Sequence, residues 1–113
     1  MTARLASAVF VSALLREVHA RGGSGVVVAK GDPTAGSLFL LCADRGQPTG
    51  AYDYVLNHEG HYVWANIGSK PIESAETIDA ICARRRAIDP DLWIIELDIP
   101  NGERFIAEFA RQG

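Results

Sequence analysis

Apolar residues near the start of the chain recur with the period of an α-helix. Five of them fall within a sector of roughly 140° when successive residues are spaced at 100°. They are Phe10, Val11, Leu14, Leu15 and Val18. Ser7 is suited to cap this helix, and Gly22 is suited to end it in the left-handed conformation that glycine tolerates. The pattern predicts a first helix from Ala8 to Arg21.

Four runs rich in β-branched, apolar and aromatic residues follow, each bounded by turn residues. The runs are Val26–Lys30, Ser37–Asp44, Ala51–Asn57 and His61–Ile67. Glycine, proline and aspartate separate the first two runs, and a short turn joins the last two. We therefore expect two hairpins and an antiparallel meander of four strands.

The last third of the chain predicts a helix, a strand and a helical tail. Ala75–Ile88 repeats apolar residues with helical spacing, and Pro90 ends this helix. Leu92–Ile99 has the composition of a fifth strand. Glu103–Arg111 carries aromatic and aliphatic residues at the spacing of a short helix.

This order, α-β-β-β-β-α-β, predicts a single α+β domain over residues 1–113. We expect a two-layer sandwich in which a mostly antiparallel five-stranded sheet carries two helices on one face. Val26–Lys30, Ser37–Asp44 and Leu92–Ile99 are apolar on both faces, which is typical of central strands. Two helices cannot cover both faces, so we expect the second face to form a homodimer interface. The tail residues Phe105, Ile106 and Phe109 are expected to seal it in part.

Composition and charge narrow the classes of function. The 113 residues carry a formal net charge of −3. Because binding to nucleic acid depends on clustered Lys and Arg, we expect no nucleic-acid partner. No stretch is long and apolar enough to span a bilayer. Leu5–Leu15 could pass for the apolar part of a signal peptide, but the charged Arg16 and Glu17 favour a helix of the domain. Cys42 and Cys82 match no metal or redox motif, so we expect no cofactor and two buried free cysteines in a reducing compartment.

Four carboxylates surround the predicted fifth strand: Asp89, Asp91, Glu96 and Asp98. Glu96 and Asp98 share one face of that strand, where a pair of acids could hold a metal or divide acid and base roles. Asp89 and Asp91 suit the turn around Pro90. We favour a structural interpretation, with an Arg85–Glu96 ion pair buried between helix and sheet. A small metal-assisted hydrolase or nuclease using Glu96 and Asp98 is the alternative.

Two further groups of residues could form a site. His58 and His61 could bind zinc with Asp53, but the pair lies in a turn and lacks the spacing of a helical zinc motif, so a solvated turn is favoured. Four aromatic residues alternate along the third and fourth strands, where they predict cross-strand packing or a protein interface. They are Tyr52, Tyr54, Tyr62 and Trp64.

Three segments resemble the small bacterial family known as domain of unknown function 1491. They are Val11–Arg16, the strand and turn Val26–Gly36, and the block Asp89-Pro90-Asp91-Leu92-Trp93-Ile94-Ile95-Glu96. The resemblance covers nearly the whole chain and implies a bacterial, cytoplasmic protein without an assigned mechanism. The sequence therefore predicts a non-catalytic interaction module that forms a homodimer and binds an unidentified protein or small molecule.

Overall fold

The computed structural model describes residues 5–67 and 75–112, with side chains for 5–67 and 78–109. These residues form three helices and five strands in the predicted order. The elements are α1 (Ser7–Ala20), β1 (Ser24–Ala29), β2 (Leu38–Asp44), β3 (Gln47–Leu56), β4 (Tyr62–Asn66), α2 (Ala75–Ile88), β5 (Trp93–Asp98) and α3 (Gly102–Gln112). The α+β class and the five-stranded, mostly antiparallel sheet are confirmed. Within the described residues, no helix has both the length and the hydropathy to cross a membrane.

The order of strands in the sheet is β1-β5-β2-β3-β4. The prediction that Val26–Lys30 is a central strand is wrong, because β1 lies at one edge of the sheet. The hairpin expected between β1 and β2 does not form, because β5 inserts between them, parallel to β2 and antiparallel to β1. The strand β5 is apolar on both faces over most of its length, and a central position removes more of that surface from water than an edge does. The meander is therefore confined to β2, β3 and β4.

The turn between β2 and β3 is shorter than predicted. Arg45 and Gly46 have φ values of 53° and 80°, so two residues in the left-handed region close the hairpin. The predicted six-residue turn is wrong, and β3 begins at Gln47. A bulge opposite Cys42 and Ala43 accommodates Pro48 within the strand.

Helices lie on both faces of the sheet. We name the faces by their helices, the α1–α3 face and the α2 face. The α1–α3 face holds the larger core cluster, with Leu14 and Val18 of α1 packed against Leu40, Ile95 and Leu97 of the sheet. Because side chains alternate along a strand, the intervening residues face α2. The α2-face cluster consists of Phe39, Leu41, Ala51, Leu92 and Ile94, with Ile78, Ile81 and Cys82 of α2 packed against it.

The two helices that share a face are thus α1 and α3, and α2 covers part of the opposite face. The tail residues Phe105, Ile106 and Phe109 belong to the α1–α3 cluster. The expectation that they seal the second face is wrong. Apolar spacing showed that the tail is a helix, but it contained no information about which side of the sheet the tail would reach.

A loop formed by residues 30–36, the junction loop, joins three elements. Its Asp32 N–H donates to the Asp91 carbonyl at 3.0 Å, and the Trp93 indole donates to the Asp32 carbonyl at 2.7 Å. The first N–H groups of α1, those of Ser7 and Ala8, donate to carbonyls of the same loop. Ser7 is the first residue of α1 and no side chain caps the helix, so the predicted Ser7 cap is wrong. The buried Ser7 hydroxyl donates instead to the Gly36 carbonyl at 2.6 Å.

We predict that Gly31→Ala destabilises the junction loop. A Cβ at Gly31 would lie 2.1 Å from the Asp91 carbonyl oxygen, so backbone must move, at a cost of about 3 kcal/mol of unfolding free energy. The matched control is Gly60→Ala, where φ is +84° and no atom lies within 4 Å, and where backbone strain alone costs about 1 kcal/mol. Denaturant unfolding measures both changes. Equal losses in the two variants would contradict the close approach at Gly31.

A second prediction concerns alkaline pH. Burial raises the pKa of the Cys42 thiol from 9.0 to about 12, with a smaller contribution from Glu103. The unfolded chain releases this proton near pH 9 and the folded chain keeps it. The stabilisation is therefore complete below pH 9 and is lost as pH rises, by at most about 1.4 kcal/mol per unit from this thiol. Burial also raises the pKa of Tyr52, which adds to the loss above pH 10.

Denaturant titrations between pH 9 and 10 test this assignment on the wild type and on Cys42→Ala. The variant is less stable at neutral pH because it leaves a cavity, but its unfolding free energy is expected to fall less steeply with pH. Parallel slopes would show that the Cys42 thiol does not cause the loss.

Candidate functional site

Arg85 connects α2 to the sheet. Its guanidinium donates two hydrogen bonds to the Asp53 carboxylate, at 2.6 and 3.2 Å. It also lies over the Phe39 ring, 4.7 Å from the ring centre. Phe39 and Asp53 are cross-strand neighbours on β2 and β3, so one side chain holds α2 on two strands at once.

The expected Arg85–Glu96 ion pair is wrong. Glu96 is exposed on the α2 face of β5, next to Val26 of β1. Asp53 occupies the same face of β3 and is the acid that Arg85 meets. Helical spacing correctly predicts that Arg85 points towards the sheet, but it contains no information about which strand α2 crosses at that point.

Asp98 holds the turn between β2 and β3. One carboxylate oxygen accepts the Arg45 N–H and the other accepts the Gly46 N–H, both at 2.8 Å. Both residues have positive φ, so the carboxylate supports a turn of restricted conformation. Although Glu96 and Asp98 share a strand face, the two oxygens of Asp98 are already engaged.

The acids beside Pro90 have the expected structural use. The Asp89 carboxylate accepts the Asp91 N–H at 3.1 Å, and the Asp89 carbonyl accepts the Leu92 N–H. Arg86 reinforces this corner by donating to the carbonyls of Leu92 and Lys30. The block from Asp89 to Trp93 therefore ends α2, positions β5 and supports the junction loop.

The histidine turn carries no pocket of converging ligands. The His58 side chain is 93% exposed, and its Nε2 lies 4.0 Å from Oε1 of Glu59. The Asn57 side-chain oxygen accepts hydrogen bonds from the backbone N–H groups of Glu59 and His61. Asp53, the third ligand considered for zinc, is paired with Arg85. Across residues 5–67 and 75–112, no group of three or more His, Cys, Asp or Glu residues could hold a metal ion.

The aromatic residues pack on the α1–α3 face. Tyr52 is buried there, and Tyr54 lies 4.6 Å from Trp64 and 5.2 Å from Tyr62 between ring centres. Phe10 of α1 covers Tyr54 at 4.8 Å. These four candidates therefore form cross-strand packing beneath α1, on the side opposite Arg85, Glu96 and Asp98.

The α2 face retains exposed apolar side chains on both sides of its helix. Val26 of β1 is 55% exposed, and the cross-strand pair Val55 and Val63 of β3 and β4 is 39% and 36% exposed. None of the described α2 side chains, 78–88, is fully buried, and Ile88 at its end is 79% exposed. The uncharged run Val26-Val27-Val28 is the sequence signal for the exposed valine of β1.

We predict that Arg85→Ala loosens α2. The variant loses a bidentate ion pair and a cation–π contact, both partly shielded from water, and we expect about 1–2 kcal/mol less unfolding free energy. Arg84→Ala removes an equal charge from an exposed neighbouring position, so its effect should stay within about 0.5 kcal/mol. Chemical denaturation of both variants measures the difference, and equal effects would refute the role assigned to Arg85.

Comparison with known proteins places this architecture among solved structures. A crystal structure of a DUF1491 family protein from Caulobacter crescentus CB15 is similar at a TM-score of 0.78 and 27% identity, covering 88% of this chain and 92% of that chain. An NMR structure of a DUF1491 family protein from the same organism has a TM-score of 0.76 and 26% identity, covering 93% and 94%. The solution structure of protein Atu0922 from A. tumefaciens has a TM-score of 0.69 and 31% identity, covering 88% and 89%.

No curated protein matches the chain. The family described as protein of unknown function (DUF1491) matches residues 5–107, which is most of the sequence. The chain belongs to the DUF1491 family.

Proposed function

We propose that this protein is a non-catalytic, cytoplasmic interaction module that forms a homodimer through the α2 face. The observation that carries the proposal is the exposure of Val26, Val55 and Val63 on either side of α2. The described side chains of α2 are themselves only partly buried or exposed. Apolar surface of this kind, mixed with polar groups, is typical of protein interfaces. The two free cysteines suit a reducing compartment.

The polar groups of the same face support a binding role over catalysis. Asp53 neutralises Arg85, and Asp98 holds a turn, so these groups stabilise the fold. Catalytic acids and bases need a partner within hydrogen-bond reach and a pocket that excludes water. Glu96, the remaining acid of the face, is exposed on a strand without such a partner among the described contacts.

The alternative, a metal-assisted hydrolase using Glu96 and Asp98, gains no support from this geometry. Its two acids share a face as predicted, but Asp98 accepts two backbone hydrogen bonds at 2.8 Å. A metal would have to compete for those oxygens. A further protein or small ligand could bind the same apolar face, whereas the net charge of −3 disfavours nucleic acid.

Self-association is tested by size-exclusion chromatography with light scattering. At micromolar concentration we expect about twice the monomer mass of 12.2 kDa. The triple variant Val26→Lys, Val55→Lys, Val63→Lys charges the open positions of the α2 face and is expected to be a monomer, because buried unpaired ammonium groups oppose association.

The matched control is Val9→Lys, which charges a valine that is 54% exposed on α1. This control should remain a dimer. A wild type that stays monomeric across the micromolar range contradicts the proposed self-association, and a dimer that is lost equally in the Val9 variant contradicts the assignment to the α2 face.

A further inference from the structure

The strand β1 is an edge of the sheet. It pairs with β5 on one side, and no strand in the described part of the chain pairs with its other side. Along such an edge, the N–H and C=O groups of alternate residues point away from the sheet and can form hydrogen bonds with another strand. The interface proposed above therefore has a backbone component next to the exposed Val26 side chain.

This edge lacks the usual protection against pairing. Its six residues, Ser-Gly-Val-Val-Val-Ala from Ser24 to Ala29, include no proline and no charge. Natural edge strands usually carry a lysine, a proline or a covering segment that prevents association. One protective device is present, a bulge between Val27 and Ala29 that bends the second half of the strand. Pairing is accordingly favoured in the first half, around Val26.

We propose that two copies of the chain join edge to edge, β1 against β1 in antiparallel orientation, about a two-fold axis at Val26. This proposal rests on the proposed self-association and places the contact at the β1 end of the α2 face, so Val55 and Val63 at the other end lie outside it. The two sheets would become one continuous sheet. Val26 of each copy would meet Val26 of the other on the α2 face, because opposed residues in an antiparallel pair point to the same side.

Charge is compatible with a second copy as the occupant. In this register residue numbers opposite each other sum to 52, so Gly25 faces Val27 of the second copy and Ser24 faces Val28. The strand itself, Ser24–Ala29, carries no charged residue. No like charges are directly opposed along the strand.

Of the two acids in β5, Glu96 lies nearer to the axis than Asp98. It is the cross-strand neighbour of Val26 in the same chain. Three strand spacings would separate the two Glu96 positions, about 14 Å. That distance exceeds the Debye length of about 8 Å at physiological ionic strength, so their repulsion is largely screened. The register therefore brings apolar side chains together and keeps the acids apart.

Charge complementation at Val26 tests the register. In a Glu96→Gln background, which prevents an introduced lysine from pairing with its own neighbour, Val26→Lys and Val26→Glu are made separately. Each variant opposes like charges at the axis and is expected to weaken association roughly tenfold or more. An equimolar mixture should restore a dimer containing one chain of each. Labelling one variant with ¹⁵N lets native mass spectrometry identify the mixed dimer.

The controls separate this proposal from the broader one. Val55→Lys with Val63→Lys charges the opposite end of the same face and should leave the dimer intact. If the wild type is a dimer that tolerates Val26→Lys but not the Val55 and Val63 changes, edge pairing is wrong and association through the α2 face stands. A monomeric wild type overturns both proposals.

Hydrogen exchange on the unaltered protein gives a readout that needs no substitution. Amides of residues 24–28 that point away from β5 should exchange more slowly at high than at low protein concentration, because pairing buries them. Rapid exchange of these amides at a concentration at which light scattering shows a dimer would overturn pairing through β1.

Discussion

The parallel pairing of β2 with β5 is the contact on which the rest of this structure depends. It joins the first strand of the meander to the last strand of the chain, and it gives both strands neighbours on each side. On one face of these two strands, α1 and α3 pack against Leu40, Ile95 and Leu97. On the other face, α2 packs against Phe39 and Ile94. Burial of a strand on both faces contributes roughly 1.5–3 kcal/mol for each large apolar side chain, before the cost of ordering it. No single polar contact among residues 5–67 and 75–112 approaches the sum of those terms.

Polar groups select the arrangement that this burial stabilises. The carbonyl of Asp91 meets the junction loop, and the carboxylate of Asp98 meets the turn between β2 and β3. Both ends of β5 are therefore tied to segments that precede it by about half the chain. Arg85 acts in the same way for α2, which contributes few buried apolar groups of its own among its described residues. Acids that suggested chemistry in the sequence therefore serve to fix register and orientation.

The sequence predicted what depends on local pattern. Helical spacing identified α1, α2 and α3, and strand composition identified the strands. Apolar residues on both faces correctly predicted that β2 and β5 lie inside the sheet, but the same pattern wrongly predicted this for β1. What it could not predict depends on relations between distant elements. Periodicity assigns Arg85 to an inward sector, but only the position of α2 across β2 and β3 selects Asp53 over Glu96. The same limit applies to the aromatic residues, whose alternation was correct although their face of the sheet was unknown.

Because the interior strand β5 follows the other four strands in sequence, the order of synthesis matters. A ribosome that produces about 5–20 residues per second releases β1 and β2 several seconds before β5 is available. During that interval the apolar run Leu38–Ala43 has no neighbour on one side, and the Arg45–Gly46 turn lacks the carboxylate that supports it. Strand pairing between residues far apart in sequence is slow, since loop closure must precede the gain from contact. The placement of β5 thus makes folding of this small domain a late event, completed only when its last strand has left the exit tunnel.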